Sequence, residues 1–272
     1  MNREYLIKQI KEKKSYLCVG LDTDVEKIPE HLGSSADAIF EFNRQIIDAT
    51  KDLCVAYKIN TAFYEALGAK GWQAMEKTVQ YIPNTHFKIA DAKRGDIGNT
   101  SSQYAKAFFE TIPFDAITIA PYMGSDSIKP FLNYEDKCSI VLALTSNEGS
   151  KDFEQLRVND NYLFEKVIKK TTEWGTENNL MFVVGATKAA DISVIRKIIP
   201  NHFLLIPGVG FQGGNLSEVS KYGLNKDCGI LVNVSRAIIY AGKNENFAEE
   251  ARAIALEYQT EMKRYLSDFD GF

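Results

Sequence analysis

The chain has 272 residues, enough for one large α/β domain with a substantial core. It is 45% hydrophobic and 25% charged, an ordinary composition for a soluble globular protein. Net charge is −4 and the longest charge cluster is Lys11-Glu12-Lys13-Lys14, so nothing supports nucleic-acid or membrane-surface binding.

The first stretch, Met1–Ile10, is charged and helical in pattern, and it lacks the apolar core of a signal peptide. Lys11–Lys14 reads as the solvated end of that helix. No apolar run approaches the ~20 residues needed to span a bilayer. Asn99-Thr100-Ser101 matches a glycosylation sequon, discounted here because no secretion signal is seen. Cys18, Cys54, Cys138 and Cys228 show no CxxC spacing and lie in or beside apolar runs, so they are expected to be reduced and buried. The expected location is the cytoplasm.

Along the chain, short apolar runs alternate with longer amphipathic stretches. The strand-like runs are Tyr16–Leu21, Cys54–Ile59, His86–Ala90, Ala116–Ile119, Ser139–Leu144, Leu180–Val184, Phe203–Ile206 and Ile230–Val234. Their near-continuous apolarity suits parallel strands buried on both faces. Helical spacing is read at Ala36–Ala49, Gly68–Ile82, Thr100–Glu110, Tyr162–Trp174 and Phe247–Leu266. Ser146–Asn161 reads as an irregular loop or short insertion. Eight such βα units predict a single α/β domain over residues 1–272, a (β/α)8 TIM barrel with a C-terminal helix at about 246–267. An open doubly wound sheet is the alternative.

In a barrel the active site lies at the C-terminal ends of the strands. Asp22 follows the first strand, Lys58 ends the second, and Asp91 and Lys93 end the third. Charges of alternating sign at one mouth hold each other ionised. If the extended conformation continues through Ala92, Asp91 and Lys93 face the same way, because residues two apart share a face of a strand. Asp96 falls in the turn after Gly95, and its direction stays open. A purely structural salt-bridge network is the competing interpretation of the cluster. Lys93 lies between carboxylates, which favour its charged form. That argues for a proton-donating ammonium and against a Schiff-base nucleophile, which needs a lowered pKa. Arg94 alternates to the opposite face.

A second constellation, Pro207-Gly208-Val209-Gly210-Phe211-Gln212-Gly213-Gly214, follows the seventh strand. It matches the letters of a dinucleotide fingerprint, with Asp227 at a plausible distance. It sits near the end of the chain, however, where no first βαβ unit exists. Backbone N–H groups approaching a phosphate explain the glycines more simply, since phosphate sites after strands seven and eight are usual in these barrels. Arg236, after the eighth strand, is placed to grip the same phosphate bidentately, with a surface salt bridge as the alternative. His31, His86 and His202 are scattered in the sequence, and no His/Cys/Asp cluster suggests a metal.

The run Asp91-Ala92-Lys93-Arg94-Gly95-Asp96-Ile97-Gly98-Asn99-Thr100 closely resembles the D-x-K-R-x-D-I-x-x-T signature of orotidine 5'-phosphate decarboxylases, and looks closest to their longer bacterial subgroup. Gly20-Leu21-Asp22, Lys58 with Asn60, Thr145-Ser146-Asn147, the Pro207–Gly214 loop and Ser235-Arg236 extend the resemblance over most of the chain. Ile59 departs from it, standing where many relatives carry proline.

The resemblance implies a homodimer with shared active sites that decarboxylates orotidine 5'-phosphate to uridine monophosphate with no metal or organic cofactor. It implies that Asp91 destabilises the substrate carboxylate, while Lys93 stabilises and protonates a C6 carbanion. Asp22 and Lys58 bind ribose hydroxyls and hold the charge network, and Ser146 contacts the pyrimidine. Gln212, Arg236 and the backbone at Gly213 and Gly214 bind phosphate, with Pro207 beside the substrate. Asp96, Ile97 and Thr100 serve the neighbouring subunit's site. The rivals are a magnesium-dependent phosphosugar lyase on the same barrel, a non-catalytic nucleotide-binding protein and a Schiff-base aldolase.

Overall fold

A computed structural model describes residues 1–210 and 213–269. The described residues form ten strands, eight of them from the apolar runs: β1 (Leu17–Gly20), β2 (Ala56–Asn60), β3 (Phe87–Arg94), β4 (Ala116–Ile119), β5 (Cys138–Leu144), β6 (Arg157–Val158), β7 (Asn161–Tyr162), β8 (Leu180–Val184), β9 (Leu204–Pro207) and β10 (Ile230–Val234). β6 and β7 make a separate antiparallel hairpin. The other eight close on themselves in the order β1-β10-β9-β8-β5-β4-β3-β2, every pairing parallel. This is the expected (β/α)8 barrel. β1, β4, β8 and β10 are buried at every position, as strands covered on both faces must be.

The helices are α1 (Arg3–Lys13), α2 (Ala36–Thr50), α3 (Ala62–Glu65), α4 (Gly68–Tyr81), α5 (Gly98–Lys106), α6 (Ser125–Leu132), α7 (Leu163–Thr171), α8 (Ala189–Ile198), α9 (Leu216–Gly223), α10 (Arg236–Ile239) and α11 (Phe247–Ser267). Asn2 caps α1 by accepting from the Tyr5 N–H at 3.0 Å, and Ser35 caps α2 through the Ala38 N–H at 3.2 Å. α11 packs on α2, where Phe42 and Phe247 stack at 5.0 Å between ring centroids. Both rings are fully buried, so truncating either is expected to cost about 3–5 kcal/mol.

Three differences from the sequence expectation have local causes. Lys13 is not simply solvated: its ammonium donates to Lys51 O at 2.7 Å and Cys54 O at 2.9 Å, tying the end of α1 to the loop before β2. β3 continues four residues past Ala90, carrying Asp91 and Lys93 to the cavity at the barrel mouth and ending at Arg94. The segment after β5 contains a one-turn 3-10 helix, Glu148–Lys151, and the β6–β7 hairpin. The four cysteines are free and buried, as expected. Among the described residues, no helix is long and apolar enough to cross a membrane.

Candidate active site

The C-terminal ends of the barrel strands surround a cavity of about 310 Å³. On one side β1, β2 and β3 deliver the charges. Lys58 is buried and donates to Asp22 Oδ1 at 3.0 Å and to Asp91 Oδ2 at 3.1 Å. Lys93 Nζ lies 2.6 Å from Asp91 Oδ1. The result is one chain of alternating sign, Asp22–Lys58–Asp91–Lys93. Burial opposes the Lys58 ammonium, yet Asp22 and Asp91 outweigh it and hold its pKa above the ordinary lysine range. Burial likewise opposes the Asp91 carboxylate, and Lys58 and Lys93 outweigh it, holding its pKa well below the usual carboxylate range. Asp91 is therefore an anion at neutral pH, directed into a cavity beside an ammonium. Lys93 is 51% exposed, so its Nζ is reachable.

Lys93 meets Asp91 for a reason other than simple strand alternation. Ala90 pairs with Ile117 and Arg94 with Ile119, a register shift within the β3–β4 seam. Inside this bulge Lys93 adopts φ +48°, a left-handed conformation that disfavours side chains other than glycine. Arg94 does point outward: it pairs with Glu65 and lies over the rings of Tyr104 and Phe108 at 5.6 and 5.5 Å.

The opposite wall belongs to β9 and β10. β9 stands four places from β3 in the closed order, diametrically across the barrel. Pro207, Gly208, Val209, Ser235 and Arg236 line the cavity there. Gly208, Gly210 and Gly213 all have positive φ, which lets the loop fold tightly. Two of its described backbone donors are engaged within the loop: Gly213 N–H donates to Gly210 O at 2.8 Å, and Gly214 N–H to Gly208 O at 3.1 Å. Gln212 lies outside the described residues.

Ser146 lines the cavity between these walls. A side chain at Gly185 would approach the Ser146 N and Cβ to 2.8 Å, so a glycine there leaves the serine its place. The sequence reading missed Glu154, which accepts from the Thr145 N–H at 2.7 Å and so anchors the chain leading into Ser146. It also missed Asn233, a cavity-lining residue whose buried Oδ1 has no hydrogen-bond partner among the described residues. Asn233 is a polar residue in an otherwise apolar strand, and that was a readable signal.

Asp96, Ile97 and Thr100 do not line this cavity. Asp96 Oδ1 accepts from the Ile97 N–H at 2.7 Å, and Ile97 is 60% exposed. Tyr122 (87% exposed) and Phe153 (62%) form a ring pair at 6.4 Å, on loops after β4 and β5. No group of three or more His, Cys, Asp and Glu side chains placed to hold a metal is found among the described residues.

Comparison with known proteins gives a consistent result. A family model described as "Orotidine 5'-phosphate decarboxylase / HUMPS family" matches residues 15–253. A Bacteroides fragilis (strain YCH46) protein named orotidine 5'-phosphate decarboxylase is 58% identical over 270 residues, covering 98% of each chain. Among solved structures, a putative orotidine-monophosphate-decarboxylase from Toxoplasma gondii superposes with a TM-score of 0.88 at 34% identity, covering 98% of each chain. An OMP decarboxylase from Leishmania donovani superposes at 0.82 with 36% identity, covering 96% of this chain and all of that one.

Proposed function

The chain belongs to the orotidine 5'-phosphate decarboxylase / HUMPS family, and from that premise we propose how its site works. It is a carboxy-lyase of pyrimidine synthesis, converting orotidine 5'-phosphate to uridine monophosphate and CO2. The observation that carries the mechanism is the Asp22–Lys58–Asp91–Lys93 chain facing a cavity whose far wall carries Arg236.

The substrate carboxylate lies against the Asp91 anion, which raises the energy of the bound ground state. The C6–carboxylate bond breaks heterolytically, CO2 departs, and the electron pair stays on C6. The Lys93 ammonium stabilises that carbanion and then transfers a proton to C6. This leaves a neutral amine that regains its proton from solvent. Asp22 and Lys58 bind ribose hydroxyls, and Ser146 the pyrimidine. Arg236, Gln212 and the backbone of Gly213 and Gly214 hold the phosphate beside Pro207. For Gly213 and Gly214 to donate, the loop gives up its internal hydrogen bonds. Phosphate binding therefore couples remote binding energy to assembly of the site.

The protein works as a homodimer. Asp96, Ile97 and Thr100 do not line their own cavity and Ile97 is largely exposed, which suits contribution to a partner's site. The four buried, unpaired cysteines fit a reducing, cytoplasmic setting.

The direct test follows loss of orotidine 5'-phosphate absorbance with and without a chelator. Chelator-insensitive turnover is expected, and turnover that requires magnesium overturns the mechanism. Mixing Lys93→Ala and Asp96→Ala subunits, each inactive alone, should restore activity up to about one quarter of wild type per subunit pair. No recovery after demonstrated subunit exchange removes the shared site.

A further inference from the structure

The left-handed turn at Lys93 needs something to hold it. Between Ala90 and Arg94 the chain takes four steps while β4 takes two, from Ile117 to Ile119. On the outer side, Arg94 Nη1 donates to Ala92 O at 2.9 Å and is itself fixed by Glu65, Tyr104 and Phe108. On the inner side a hydroxyl of β4 supplies a hold. The Lys93 N–H donates to Thr118 Oγ1 at 3.0 Å, and Thr118 Oγ1 donates to Asp91 Oδ1 at 3.0 Å.

The direction of these bonds is forced. A backbone N–H can only donate and an ionised carboxylate can only accept, so the one hydroxyl hydrogen must go to Asp91. Thr118 is fully enclosed and does not line the cavity, so substrate contact does not account for it. The other residues of β4, Ala116, Ile117 and Ile119, are apolar, and packing alone there is met without a hydroxyl.

We infer that Thr118 is a positioning residue for decarboxylation: its hydroxyl links the backbone of Lys93 to the carboxylate of Asp91 and so fixes the ammonium relative to the anion. The inference rests on the function proposed above. Valine at this position keeps the shape, leaves the Lys93 N–H without its acceptor and frees Asp91 Oδ1 to turn. Serine keeps both bonds.

The test compares wild type, Thr118→Val and Thr118→Ser in three measurements: steady-state turnover of orotidine 5'-phosphate, calorimetric binding of uridine monophosphate, and a crystal structure of the valine variant. A displacement on the order of 1 Å at a reacting group costs up to about 100-fold, so kcat of Thr118→Val should fall roughly 10- to 100-fold. Its KM and product affinity should stay within about 3-fold, as expected when an interaction made in the transition state is lost. Serine should restore kcat to within about 3-fold of wild type, since it keeps both hydrogen bonds. In the crystal, Lys93 Nζ should leave Asp91 Oδ1. If the valine variant does not fold, Thr118→Ala takes its place against the same serine control. The inference is overturned if kcat of the hydroxyl-free variant matches wild type, if serine is as slow as valine, or if the loss appears only in KM. Failure of the wild type to turn over substrate would overturn the function instead, and the crystal would still report whether the hydroxyl holds Lys93.

Discussion

Lys58 at the barrel mouth and Arg196 at the opposite end are both cations withdrawn from water, and the protein satisfies them in opposite ways. Lys58 is held by two carboxylates, each with a side turned to an open cavity. Arg196 donates to the backbone carbonyls of Gly223, Ile199, His202 and Gly229, at 2.6–3.3 Å. Burial lowers the Arg196 pKa to about 10, and among the described residues no carboxylate compensates. Carbonyls fixed in the backbone make a permanent seam between α8, α9 and the starts of β9 and β10. Carboxylates on side chains can share their cation with an incoming substrate. The way a charge is satisfied thus separates machinery from scaffold.

The sharpest way to break this contrast is Lys93→Ala. Turnover should fall by at least about 10⁴-fold, because the proton donor and the stabilising cation go together. The melting temperature should barely move, since the side chain is half exposed. Near-normal turnover in a folded Lys93→Ala protein would end the mechanism.

Arg196→Met should do the reverse. It removes donors from enclosed carbonyls, so denaturant unfolding should show a loss of about 2–4 kcal/mol. The kcat of the folded fraction should stay within about 2-fold, as for a site remote from the chemistry. A specific fall in kcat would show that the two ends are coupled.

A third contrast separates the ends by pH. His86 and His202, which precede β3 and β9 at the far end, are buried, and desolvation lowers both pKa values to about 4. Lys13, 2.8 Å from His86 Nε2, adds to the shift there. The folded state thus prefers neutral rings. This stability is present above the unfolded value of 6.5 and is lost as pH falls towards 4, by up to about 3 kcal/mol per histidine. Asp91 titrates well below that window, so its carboxylate stays charged throughout it. Chemical denaturation at pH 7 and pH 4.5 should show the loss in wild type and a smaller one in His202→Phe. Equal losses would exclude His202 as a contributor.

How much of this was legible in the chain differs by element. Ala116–Ile119, Leu180–Val184 and Ile230–Val234 are strands with the expected ends, because buried parallel strands carry an uninterrupted apolar signal. α6, α8 and α9 were not read as helices. α6 contains Pro130, which interrupts the helical pattern, and all three are ten residues or fewer. The charged members of the site could be read from their positions at strand ends. Thr118 could not, since a threonine in Ala-Ile-Thr-Ile looks like one more β-branched strand former. Glu154 sits nine residues from the backbone it anchors, in a loop with no period to interpret.

The sequence by itself determined the barrel, the order of its strands and the alternating charges at one mouth, because burial periodicity and residue type are local properties. Only the tertiary structure decided how Lys93 meets Asp91. Strand alternation would have produced the same pairing in a flat ladder, but here it arises from a register shift and a left-handed residue held by a hydroxyl on the next strand. That conformation is unfavourable in isolation, and it persists because neighbours distant in the chain supply its hydrogen bonds.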